Sequence, residues 1–352
     1  MARAHRYRGI VGYRIRWPCV SMRALILAPF AERYLLRLRR SLEVTYDSWT
    51  ESLRLHSPEE LAARLREEES SILVVEADFV FDDVLDAPGL RLVGVCRNAV
   101  NQVDVEAASE RGILVIHAPA RNAVAVAEHT LALMLALARH LVPAHRLVAD
   151  GRWRDPVEAY FTFQGRELAG SVVGVIGLGH SGREVAARLR ALGARVLAYD
   201  PYVPPRRTWA WGVAPTGLAD LMRRSDFVTI HAAPTEESEA LVDEAMLRLM
   251  KPQAYLVNTG AAAVVDSAAL VRCLQERRIA GAALDVFEGQ PLPASSPYLK
   301  LDNVILTPHI GGATRETVVR HSRMVTEDIE RFLRGLPPRR LVNPEVLSRH
   351  GG

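Results

Sequence analysis

Gly177-Leu178-Gly179-His180-Ser181-Gly182 holds the most suggestive spacing in the chain. A G-x-G-x-x-G run alone is a weak signal. Here it follows the apolar run Val172-Val173-Gly174-Val175-Ile176 and opens an amphipathic stretch. A second apolar run then ends in Asp200, 18 residues after Gly182. In that setting each glycine has a task. Gly177 permits a tight turn, Gly179 lets a pyrophosphate approach the backbone, and Gly182 lets helix and strand lie close together. The helix start, with its unpaired amides, stabilises the phosphate charge. Asp200 is placed to accept both ribose hydroxyls and to repel a 2′-phosphate, which predicts NAD rather than NADP. Arg206 and Arg207 follow closely enough to oppose that preference, although a solvated loop suits them equally.

These residues need a scaffold, and the rest of the chain reads as one. Short apolar runs alternate with helix-sized segments, the rhythm of parallel sheets covered by helices. Strands are expected at Ala24–Ala28, Ser71–Val75, Leu92–Val95 and Ile113–Ile116, then at Val172–Ile176, Arg195–Tyr199, Phe227–Ile230, Ala254–Val257, Ala282–Val286 and Val304–Leu306. Ser57-Pro58-Glu59-Glu60 reads as a capping box with proline in the first turn. Asp266 reads as the cap of a helix running to about Gln275. A long helix is expected over Ala123–Leu147, interrupted or kinked at Pro143, and another over about Glu316–Leu333. The fold class is α/β, with two doubly wound parallel-sheet domains.

Bulk properties narrow the function classes. A chain of 352 residues suits two domains, each with its own core. The formal net charge of +3 is too small to argue for nucleic acid or an anionic membrane. Cys19, Cys96 and Cys273 match neither a disulfide framework nor a metal site, so no metal is expected and a reducing cytoplasm is the natural compartment. No apolar run free of charges reaches transmembrane length. Residues 1–21 carry five arginines and no acidic residue. They are expected to be a disordered extension or the result of an early start codon, with an organelle transit peptide as the alternative.

Further segments carry a resemblance. Asn122-Ala123-Val124-Ala125-Val126-Ala127-Glu128-His129, Val257-Asn258-Thr259, Ala282-Ala283-Leu284-Asp285-Val286-Phe287-Glu288 and Thr307-Pro308-His309-Ile310-Gly311-Gly312 join the glycine segment. Together they make the chain, from about residue 70 to 345, resemble the D-isomer-specific 2-hydroxyacid dehydrogenases. The resemblance implies a nucleotide domain over 121–309 inserted into a substrate domain formed by 22–120 and 310–345. It implies NAD contacts at Gly177, Gly179, His180, Ser181, Gly182, Asp200, Ala233, Ser238, Thr259, Gly260, Asp285, His309 and Gly311. It also implies a homodimer formed through the 123–147 helix, and a small anionic substrate.

The family's chemistry uses an Arg that holds the substrate carboxylate, a His that exchanges a proton with the substrate oxygen, and a Glu that supports the His. His309 matches the His position. Gln290 stands at the Glu position and Ala261 at the Arg position. A charge-assisted hydrogen bond is worth about 1.5–3 kcal/mol and a bidentate Arg supplies two, so the missing Arg matters. The substrate loop, Arg97-Asn98-Ala99-Val100-Asn101-Gln102-Val103-Asp104, has lost two family glycines and gained Arg97. That residue or Arg121 could reach the carboxylate, with Asn98 donating a second hydrogen bond. Two readings follow. One is an NAD-dependent oxidoreductase of small 2-hydroxy and 2-keto acids, with His309 as acid/base oriented by Gln290. The other is a dinucleotide-binding sensor or scaffold without turnover.

Overall fold

The computed structural model describes residues 22–350. The expected extension over 1–21 lies outside the described residues. The chain divides into two compact units, one made of the described residues up to Arg121 together with those from Thr314 onward, the other of Asn122–Ala313. The second boundary falls beyond His309, so the turn after that histidine belongs to the nucleotide unit.

The first unit holds five strands: β1 (Arg23–Ile26), β2 (Glu43–Tyr46), β3 (Ile72–Val75), β4 (Leu92–Val95) and β5 (Leu114–His117). All pairings are parallel and the order is β2-β1-β3-β4-β5. β1, β3, β4 and β5 are almost wholly buried, as befits parallel strands covered on both faces. Ile26, Val74 and Ile116 share one core with Val325, Ile329 and Phe332 of the Arg315–Leu333 helix. Leu73, Val75 and Val93 share the other with Leu61 and Leu65 of the Pro58–Glu67 helix, whose Ser57/Glu60 capping box is formed. The C-terminal tail closes the unit: Val342 N donates to Val115 O at 2.7 Å, and Val115 N donates to Asn343 Oδ1 at 2.8 Å.

The second unit holds β6 (Val172–Ile176), β7 (Arg195–Tyr199), β8 (Ala214–Pro215), β9 (Phe227–Ile230), β10 (Tyr255–Asn258), β11 (Gly281–Leu284) and β12 (Val304–Leu306). Their order is β12-β11-β10-β9-β6-β7-β8, again all parallel. The direction of winding reverses between β6 and β9, which is where an open α/β sheet opens its ligand crevice. Two strands, β2 and β8, were not expected from the sequence. β2 is a four-residue edge strand with no buried residue, so it carries no apolar run.

The predicted Ala123–Leu147 helix is corrected. It is two helices, Ala123–Ala138 and Leu141–Ala149, bent by 65°. The break lies at His140, whose backbone is left-handed (φ 52°), and not at Pro143. Pro143 sits inside the first turn of the second helix, where its missing N–H would have had no partner in any case. Among the described residues no single helix is long and apolar enough to cross a membrane.

Candidate active site

The glycine segment forms the turn that its spacing predicts. Gly177 leaves β6 at φ +90°, and a Cβ there would stand 2.5 Å from Ala232 N. A Cβ on Gly182 would meet Gly177 O at 2.0 Å, so helix and strand approach at glycine-only distance. A Cβ on Gly179 would meet nothing within 4 Å, which leaves open space above the turn. The His180–Ala191 helix starts there, with His180 exposed and Ser181 half-buried in its first turn. Partial desolvation, then the charge of Arg183, hold the His180 imidazole below its ordinary value. Asp200 follows β7 and reaches back to the turn: Leu178 N donates to Oδ2 at 2.7 Å and Tyr202 N to Oδ1 at 2.9 Å. In the loop after β9, Ser238 Oγ donates to Ala233 O at 2.8 Å, bringing two more of the predicted contact residues together.

A second cluster forms where β10, β11 and β12 end. His309, at φ 55°, places its Nδ1 2.8 Å from Gln290 Oε1. Gln290 Nε2 donates to Phe287 O at 3.2 Å, so the amide oxygen faces the histidine. Nδ1 therefore carries the donated proton, and Nε2 is the ring position left for exchange. Beneath this pair Asp285, 1% exposed, accepts from Ile310 N at 2.9 Å, Gly311 N at 2.8 Å and Thr307 Oγ1 at 2.6 Å. His129 Nε2 donates to Thr307 Oγ1 at 3.2 Å and lies 3.4 Å from the carboxylate. Burial alone would raise the Asp285 carboxyl. The hydrogen bonds from His129, Thr307 and the two amides outweigh that and hold it down to about 2. The loop carrying His309 is thus tied to a permanent anion. His129 and Thr307 lie in the motif segments, but nothing in their spacing predicts a role for them. They are 178 residues apart, and only the fold joins them.

The turn after β10 is pinned by its own asparagine. Asn258 Nδ2 donates to Ala261 O at 2.9 Å and Gly260 N donates to Asn258 Oδ1 at 3.1 Å. Thr259 is buried and its hydroxyl lies 2.8 Å from that of Thr130. Ala261 contributes only a methyl, half-buried against the apolar cluster below.

In the first unit Arg97 and Asn98 are exposed on the loop after β4. Asn98 Oδ1 accepts from Ala120 N at 3.4 Å. Arg121 is a different matter. Its guanidinium pairs with Glu76 at 2.5 Å and donates to His321 Nδ1 at 2.8 Å. Those bonds brace the unit's interior, so Arg121 is not a free carboxylate ligand and that expectation is withdrawn.

A glycine turn at the switch point of a parallel sheet, with an acidic residue closing the next strand, defines a dinucleotide-binding α/β protein. Residues 131–311 match the model of the D-isomer specific 2-hydroxyacid dehydrogenase NAD binding domain. The chain is 40% identical over 297 residues to a glyoxylate reductase of Thermofilum pendens, covering 83% of this chain and 86% of that one. It is 36% identical over 323 residues to a D-3-phosphoglycerate dehydrogenase of Archaeoglobus fulgidus, covering 92% of this chain but 59% of that longer protein. The solved TT0316 protein of Thermus thermophilus superimposes with a TM-score of 0.79 at 35% identity, over 91% of this chain and all of that one. The chain therefore belongs to the D-isomer-specific 2-hydroxyacid dehydrogenase family and carries its NAD(P)-binding domain.

Proposed function

We propose that this chain interconverts a small 2-hydroxy acid and its 2-keto acid with NAD. The observation that carries the reading is the His309–Gln290 pair, at 2.8 Å, with Nε2 left free. The residues present fit the cofactor. Gly179 leaves open space for a pyrophosphate, the His180–Ala191 helix offers unpaired amides, and Asp200 stands where a ribose edge would be read. When bound, the dinucleotide supplies or accepts the hydride. Asp200 favours NAD over NADP, because its carboxylate would repel a 2′-phosphate.

The chain's own groups handle the proton and the orientation. In reduction, His309 Nε2–H gives its proton to the substrate oxygen; in oxidation, Nε2 takes it back. Gln290 fixes the ring without lending it a charge. Asp285, held anionic, positions the 307–311 loop and so the height of the ring. Ala261 is our reading of the family's Arg position, and it offers the substrate carboxylate no donor side chain. Arg97 is the side chain we assign to replace it, with Asn98 beside it.

A panel of 2-keto acids assayed with NADH tests the function. His309→Asn should lower kcat/KM by about 100-fold or more while NADH still binds, since general acid–base catalysis contributes roughly 10²–10⁴. Tight NADH binding with no turnover on any acid would instead identify a dinucleotide-binding protein without this activity.

A further inference from the structure

After β11 the chain runs from Glu288 to Tyr298 as a strap tied at both ends to Ser267, the first residue of the Ser267–Gln275 helix. Ser267 Oγ donates to Glu288 Oε1 at 2.7 Å, and the Tyr298 hydroxyl donates to Ser267 O at 3.3 Å. Between the two ties the strap carries Gln290, the residue that holds His309. Between strap, helix and β11 lies a cavity of about 370 Å³, all of it within the second unit. Leu284 and Val286 line it from β11 and its end, Val271 from the helix, and Phe287 and Leu292 from the strap side. Folded cores leave few voids larger than a water molecule, and an apolar cavity of about 150 Å³ already takes benzene. Ligand sites begin at roughly 300 Å³, so this cavity has the size of one.

The lining is mostly apolar, and of its residues only Glu288 is charged. Glu288 is exposed and makes no ion pair among the described residues. It spends one oxygen on Ser267, which leaves Oε2 for a ligand. Two other polar lining residues are already engaged, Asn258 in its own turn and Tyr298 on Ser267. Phe287 joins the cavity to the acid/base pair. It lines the cavity, and its carbonyl oxygen accepts from Gln290 Nε2 at 3.2 Å. Leu292 lines the cavity on the other side of Gln290. A molecule packed against both residues would fix the stretch between them, the Gln290 amide, and through it the imidazole.

We infer that this cavity binds a small amphiphile with an apolar body and a protonated amine, the amine on Glu288, and that its occupation reaches His309 through Phe287 and Gln290. A lone carboxylate at an apolar site attracts such a cation and repels an anion of the same shape. Because Glu288 is exposed, the amine keeps part of its water and the cost of desolvating it stays small. The inference goes beyond the hydride-transfer reading, since neither the binding nor its reach to His309 requires turnover.

Calorimetry on the full chain with 2-phenylethylamine should give a Kd of about 1 mM or tighter, a demand per heavy atom that small ligands meet. 3-Phenylpropionate, with a similar body and the opposite charge, should bind at least about tenfold more weakly. Glu288→Gln, which keeps an oxygen for Ser267, should erase that preference. Val271→Phe and Ala268→Phe both fill the cavity from the helix side, and each should weaken amine binding at least about tenfold. Ala268 is exposed, so the second variant should keep its Tm. With histidine labelled at Cε1, the amine should move the His309 resonance, identified by its loss in His309→Asn, and should leave it in place in Ala268→Phe. A Kd weaker than about 1 mM, a preference for the amine that is absent or survives Glu288→Gln, or binding kept in both filled variants would overturn the inference. So would a His309 resonance that stays put, or that moves equally in Ala268→Phe.

Discussion

His309 and Gln290 show how far a single pair of side chains can be read. The amide is oriented by Phe287 O, the imidazole by the amide, and the exchangeable nitrogen follows by elimination. The Asp285 anchor below could not be read this way. Thr307 and His129 stand far apart in sequence, and only folding makes them donors in one chain of hydrogen bonds. Two predictions belong at this scale. Asp200 has both carboxylate oxygens fixed by backbone amides, so its charge stays where a 2′-phosphate would arrive. NADH should bind at least about tenfold more tightly than NADPH, which needs only about 1.4 kcal/mol, and Asp200→Asn should erase most of that ratio. Calorimetry showing equal affinities in the native chain would shift attention to Arg206 and Arg207, both exposed. The other concerns Ala261, whose methyl rests on an apolar cluster. If Arg97 has taken over the carboxylate, Ala261→Arg should leave kcat/KM on the preferred acid unchanged or reduce it, because two guanidinium groups would crowd one anion. A gain of roughly tenfold or more from the new charge-assisted bonds would show that nothing had replaced the family's arginine.

Among the elements, the strands that carry an apolar run were legible and those without one were not. β4, β6, β7, β9 and β12 fall where their apolar runs predict. β2 escaped because it alternates polar and half-buried residues over four positions at a sheet edge, too short for a period to show. The Arg315–Leu333 helix was legible too, but its His321 was not. That residue is fully buried, donating from Nε2 to Pro29 O at 2.6 Å and accepting from Arg121 at Nδ1. Burial foremost holds its imidazole down to about 4; the bond to Pro29 opposes the shift and Arg121 adds to it. Between the ordinary value of 6.5 and about 4, only the unfolded chain takes up the proton, so stability falls as pH falls through that window and is unaffected above it. The loss should reach about 2 kcal/mol by pH 5 from this one group. Asp285, held near 2, withdraws its contribution only below the carboxylate value of 3.8, so the two windows are separate. Guanidinium unfolding at pH 7 and pH 5 measures the loss, and His321→Gln should make it smaller. An unchanged difference in that variant would mean that His321 is not the group responsible.

On the scale of the whole molecule, the question is what covers the apolar surface that the chain does not bury itself. The Ala123–Leu147 segment is apolar over most of its circumference, which in sequence argues for a subunit interface. Much of that apolar surface is consumed within the unit, since Ala127, Leu133, Met134 and Leu137 share a core with Val173, Val175 and Leu189. A sequence cannot apportion such residues between a helix's own sheet and a partner, because both demand the same side chains. The unconsumed part continues past the bend: Leu141, Val148, Trp153, Val157, Tyr160 and Phe161 are each more than half exposed, and Tyr160 and Phe161 meet edge to face at 5.4 Å. A run of large apolar side chains this long is seldom left to solvent. We therefore propose a homodimer whose interface centres on 141–161, with the first helix contributing through Leu135, its exposed large apolar side chain. Light scattering at micromolar concentration should give twice the chain mass. Trp153→Glu together with Phe161→Glu places charge in the desolvated centre and should give monomers that retain NADH affinity, because neither residue belongs to the glycine turn or to the His309 cluster. A native chain that is monomeric at that concentration would defeat the proposal outright. A double variant that stays dimeric would confine the interface to residues 123–147, the segment expected from the sequence.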